Sequence, residues 1–116
     1  MTQLSPVDQL RAAAKILLQR ADEAEADVDT NPAWRSALTD RPDWYANGVR
    51  NGLGGPAGEL AALMHPGACR ALAELLNHFA RTAEWAHGMF GDSTGPDEFV
   101  SPYALDVAQA IIGGTP

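Results

Sequence analysis

The chain contains one cysteine, one lysine and no uninterrupted apolar run near the roughly 20 residues that a membrane-spanning helix requires. Each scarcity removes a class of answer. Cys69 alone cannot close an internal disulfide, so the fold must rest on packing. The opening Met-Thr-Gln-Leu-Ser-Pro lacks the basic and apolar regions of a secretory leader, which makes a soluble, cytoplasmic protein with no membrane partner the expectation. Positive charge is sparse as well: 8 basic against 15 acidic side chains give a formal charge of −7. Lys15, Arg11, Arg20, Arg35, Arg41, Arg50, Arg70 and Arg81 form no basic stripe, and the field of the whole chain repels phosphate backbones, so no direct nucleic-acid binding is expected.

Catalytic signatures are also missing. Gly52-Leu53-Gly54-Gly55-Pro56 has the glycines of a phosphate loop without its Lys-Ser/Thr, and no Gly-x-Ser-x-Gly elbow surrounds Ser93 or Ser101. Cys69 lies on an apolar stripe, a place for packing and not for a thiolate nucleophile. His65 and Cys69 stand four apart, but Pro66 interrupts them, and neither His78 nor His87 follows at a spacing that completes a ligand set. No metal or other cofactor is therefore expected, and the balance leans away from an enzyme. Glu59, Glu74 and Glu84 could serve a magnesium-dependent phosphohydrolase only by converging from separate helices.

What the chain does have is helical periodicity. Val7, Leu10, Ala14, Leu17, Ala21, Ala24 and Val28 recur in alternating steps of three and four, one apolar stripe on a long helix. Cys69, Leu72, Leu76, Phe79, Ala83 and Ala86 repeat the spacing, with Leu75 widening the face and Trp85 within reach of it. Ser5-Pro6 and Ser101-Pro102 read as helix starts, each with a capping hydroxyl followed by proline at the first helical position. The first helix is expected from Pro6 to about Asp27, a compact one from about Ala57 to Met64, a long one from Gly67 to about His87, and a last one from Pro102 to Ile112. Gly88, Gly91 and Gly95 with Asp92, Ser93 and Pro96 should form a loop before the last.

Residues 31–56 read differently. Three prolines and four glycines punctuate Trp34, Trp44 and Tyr45, leaving room for short turns at Ala33 to Leu38 and Pro42 to Arg50, the second capped by Asp40 and broken at Asn51-Gly52. Trp34, Arg35, Trp44, Tyr45, Asn47 and Arg50 offer aromatic faces and hydrogen-bond donors suited to binding, although the same rings would also serve to close one end of a helical core. The expected architecture is thus all-α, one domain over residues 1–116, with four main helices, the two long ones packed roughly antiparallel, and a loop-rich aromatic middle segment.

Ala62-Leu63-Met64-His65-Pro66-Gly67, the following Ala71-Leu72-Ala73-Glu74-Leu75-Leu76, the opening Leu10-Arg11-Ala12-Ala13-Ala14, Pro32-Ala33-Trp34 and the closing Ala104-Leu105-Asp106-Val107-Ala108 together give a chain that resembles uncharacterised small helical proteins of actinomycete genomes and their phages. It lacks the strand-like stretch that many of those proteins place between the tryptophan and the Met-His-Pro helix. The resemblance implies an origin, an accessory gene in a high-GC bacterium, and no activity. The expectation is a non-catalytic protein-interaction module, a phage or mobile-element factor that binds a host protein and pairs with a second copy through its first helix. The alternatives are the small phosphohydrolase and a small-molecule-binding protein.

Overall fold

The computed structural model describes residues 4–90 and 95–114, and all the regular structure among them is helical. Five α-helices are present among the described residues: α1 (Pro6–Thr30), α2 (Trp44–Leu53), α3 (Gly55–Leu63), α4 (Pro66–Phe90) and α5 (Pro102–Gly113). Single 3-10 turns lie at Pro32–Trp34, Arg41–Asp43 and Pro96–Phe99. No helix among the described residues is long and apolar enough to cross a membrane. Of the expected loop, Gly91, Asp92 and Ser93 lie outside the described residues, as do the opening Met1, Thr2 and Gln3, whereas Gly88 is not loop but helical, because α4 runs on past His87 to Phe90, and Pro96 opens a 3-10 turn.

Four main helices were expected, and five are found. The difference falls in the middle segment, which is not predominantly loop: Trp44 and Tyr45 open α2, and α3 follows it after Gly54. Asn51-Gly52 does not break α2, because neither residue needs a left-handed backbone there. The break comes at Gly54, whose φ of 71° suits only glycine, and its amide closes α2 by donating to the Arg50 carbonyl at 2.9 Å. Asp40 makes no side-chain cap; it precedes the 3-10 turn, and α2 starts four residues later. Helix α1 runs past Asp27 because Val28 continues the apolar stripe into the interior; the chain leaves the helix only where Pro32 removes a donor.

Two compact units are present, Met1–Leu17 with Ala71–Pro116, and Leu18–Arg70. In the first, Val7, Leu10, Ala13 and Ala14 of α1 meet Ala73, Leu76, Ala80 and Ala83 of α4 and Ala104 and Ala108 of α5. Most of these are alanines, which let helix axes approach toward the close end of the usual range. Leu10 and Leu76 are the largest side chains fully removed from solvent. Both start signals work as read: Ser5 Oγ accepts from the Asp8 amide at 3.2 Å, and Ser101 Oγ accepts from the Ala104 amide at 3.4 Å. Asp97 adds a cap that the spacing could not show, its Oδ1 accepting from the Val7 amide at 3.2 Å across 90 residues of sequence.

The second stripe needs two corrections. Leu75 is 49% exposed and Trp85 60%, because at 100° per residue both turn away from the side of α4 that carries Ala73, Leu76, Ala80 and Ala83. Trp85 instead sets its ring edge-on to Phe90, 6.0 Å between centroids.

The second unit holds the remaining half of α1, the two 3-10 turns, α2, α3 and the first turn of α4. Its buried apolar set is small: Ala21 and Val28 from α1 and Ala62 from α3. Gly58 is buried as well, and lets α3 lie directly on the backbone of α2; a Cβ there would stand 3.1 Å from the Arg50 carbonyl oxygen.

Candidate functional site

The six residues read from sequence as a binding surface, Trp34, Arg35, Trp44, Tyr45, Asn47 and Arg50, all lie in the second unit, and the structure brings only some of them together. Asn31 ends α1 with an Asx turn, its Oδ1 accepting from the Ala33 amide at 3.0 Å, and this carries Trp34 back over α2. There the indole stacks on Tyr45, 5.5 Å between centroids and 11° from parallel, and lies against Gly48 so closely that a Cβ would stand 2.5 Å from the ring. Its Nε1 donates to Asp27 on α1. Trp44 points elsewhere, its Nε1 donating to the Thr39 carbonyl at 3.2 Å. Asn47 and Arg50 sit about 200° and 140° round α2 from Tyr45, so they share no surface with the stacked pair. Arg35 is exposed just after the first 3-10 turn. Of the six, Trp34 and Tyr45 fasten the turn to the helix, and Arg50 reaches forward to α3, its Nε 3.3 Å from Glu59 Oε2.

Tyr45 also belongs to a cleft that sequence reasoning missed. About 380 Å³ of open space lies among Glu25 and Asp29 of α1, Arg41, Tyr45, His65 and Arg70. His65 Nδ1 accepts from the Ala68 amide at 3.3 Å and so caps α4, which fixes the imidazole at the rim. Arg70 pairs with Glu25 and with Asp22, the latter at 2.8 Å, and Arg41 pairs with Asp29. Those carboxylates raise the Arg70 guanidinium further above its ordinary value, chiefly through the hydrogen bond to Glu25. Burial raises the Tyr45 phenol, with a smaller push from Cys69, and burial alone raises the Cys69 thiol. Cys69 is half-buried, its Sγ donating to the Met64 carbonyl at 3.4 Å, a packed thiol and not a thiolate. The cleft thus presents two cations already matched by acids, which leaves little net attraction for an anion.

The carboxylates of the phosphohydrolase reading do not gather. Glu74 and Glu84 are ten residues apart on α4, about 15 Å along its axis. Glu59 is engaged by Arg50, and Glu84 by Arg11. Among the described residues no group of three His, Cys, Asp or Glu could hold a metal ion.

A third feature is an apolar surface left exposed among the described residues. Gly58 and Ala62 turn α3 inward, which leaves Pro56, Leu60 and Leu63 within an arc of about 60° on the opposite side. Leu60 and Leu63 are 65% and 67% exposed; Leu53 at the end of α2 and Met64 just after α3 are 64% and 42% exposed. Sequence reading passed over this stripe because α3 is apolar nearly all round, so periodicity could not tell its inner from its outer side. Only the placement of Gly58 decides it. Compared with known protein families, curated proteins and solved structures, the chain matches none.

Proposed function

We propose that this chain is a non-catalytic protein-interaction module whose contact surface is the outward side of α3. The uncovered stripe of Pro56, Leu60 and Leu63 carries the reading: exposed leucines of this kind, side by side on one short helix, mark a surface meant to be covered. An accessory factor of a phage or mobile element that engages a host protein is the fuller form of this proposal. It is supported by the alanine, arginine and glycine usage. The test compares proteins retained from a high-GC bacterial lysate, and from a solution of the chain itself, by immobilised wild type and by a Leu60→Asp/Leu63→Asp double variant of equal helicity. Partners held by wild type and lost by the variant support the reading; identical retention by both, or none by either, overturns it.

The cleft beside Tyr45 favours a second reading, a small-molecule site, since its volume lies at the lower end of what such sites occupy. Thermal-shift measurements against a panel of neutral and zwitterionic small molecules test it. A ligand-dependent rise in melting temperature that Arg70→Ala removes would support it, and a flat response across the panel would dismiss it.

A further inference from the structure

We infer that the occupant of the α3 stripe is a second copy of this chain, seated by a two-fold contact of α3 on α3; this rests on the interaction reading above. Charge placement favours this occupant. From Trp44 to Met64 the only charged side chains are Arg50 and Glu59, and they pair with each other. The whole charge of −7 therefore lies outside the hairpin formed by α2 and α3. Two such chains repel one another over distances of roughly a Debye length, about 8 Å at physiological salt, and repulsion is least where the approaching surfaces carry no net charge. The same stretch of chain exposes Leu60 and Leu63 on one arc of α3, and Leu53 and Met64 at the ends of the two helices.

A basic partner gains little at this face, because the one carboxylate of the hairpin, Glu59, is already paired with Arg50. A neutral, self-complementary face is what an isologous contact needs: each copy presents the same leucines to the other, and the Arg50–Glu59 pair at its border stays internally satisfied. The expected contact is small. The exposed parts of these four side chains offer on the order of 400 Å² per copy, below the standard size of stable complexes and in the range of transient ones. The stripe on α1, where pairing was expected, is not available for it, since Ala14, Ala21 and Val28 are already covered within the chain.

Sedimentation equilibrium of the full chain, from about 10 µM to about 1 mM and at about 0.05 and 0.5 M NaCl, tests this. A monomer–dimer equilibrium is expected, tightening at higher salt because screening relieves net repulsion while no ion pair crosses the contact. Leu60→Asp and Leu60→Lys should each weaken it by about tenfold or more with helicity unchanged, the lysine variant even though it lowers the net charge. A monomer throughout, a dimer indifferent to both variants, or one that loosens with salt overturns the inference. A monomeric chain that still loses a foreign partner on Leu60→Asp would overturn the second copy while sparing the interaction reading; loss of neither would overturn both.

Discussion

Glycine does two opposite things within a few residues of this chain, and the contrast is measurable. At Gly58 a Cβ would meet the Arg50 carbonyl oxygen at 3.1 Å and the Arg50 Cα and Val49 carbonyl oxygen at 3.2 Å, all main-chain atoms of α2 that cannot swing aside. At Gly52, inside α2, a Cβ would meet nothing within 4 Å. Gly52→Ala should therefore raise stability by about 0.5–1 kcal/mol through helix propensity. Gly58→Ala should lower it by about 1 kcal/mol, the overpacking exceeding the same propensity gain; chemical denaturation of the two variants checks both signs. Titration offers another test at this scale. Burial raises the Cys69 thiol and the Tyr45 phenol, so the folded chain holds both protons more tightly than the unfolded chain does. Their contribution to stability is fully present below the unfolded values, roughly 8.5 and 10, and is lost as pH rises through the folded ones. Stability should fall above about pH 8.5, and Tyr45→Phe with Cys69→Ala should flatten that fall. A decline of unchanged slope in the double variant would contradict the assignment.

Among the helices, α4 shows how sharply one turn separates structure from surface. Leu76 is fully buried among alanines, whereas Leu75 beside it is half in water. Leu76→Ala should cost about 2–5 kcal/mol and Leu75→Ala within about 0.5 kcal/mol of nothing, read from urea melts. Both leucines stand in the apolar register of the sequence, so the spacing told of a long amphipathic helix without telling where its buried arc ends. The same holds elsewhere. The stripe of α1 was legible through Val28, and the Ser-Pro starts of α1 and α5 could be read because a capping hydroxyl and a proline act locally. The division of residues 44–63 into two helices was not legible, since it depends on Gly54 adopting a left-handed backbone while Gly52 stays helical, and glycine permits either. Of the six residues grouped as a candidate surface, only Trp34 and Tyr45 stack on each other; the cleft and the α3 stripe depend on which neighbours α1, α2 and α4 acquire, which spacing within one helix does not encode.

Across the whole chain, stabilising burial is unevenly shared. The contiguous core, with both of its fully buried leucines, lies in the unit made of Met1–Leu17 and Ala71–Pro116. The unit Leu18–Arg70 buries only small or β-branched apolar side chains, and its ion pairs are all surface pairs of the kind that contribute little. Both proposed binding features, the α3 stripe and the cleft, fall in this less well-filled unit, as expected where contact surfaces are drawn from the low end of local stability. Hydrogen exchange should therefore show amides of α2 and α3 opening at lower free energy than those around Leu10, Leu76 and Ala108, and the gap should exceed about 1.4 kcal/mol, a tenfold difference in protection. If α3 is covered by a second copy, its protection alone should climb with protein concentration by mass action, while the amides around Leu10 and Leu76 stay constant. Equal protection of α3 and the Leu76 region in dilute solution would mean that the α2–α3 hairpin is held by more than its buried side chains account for, and would count against placing the binding surface there.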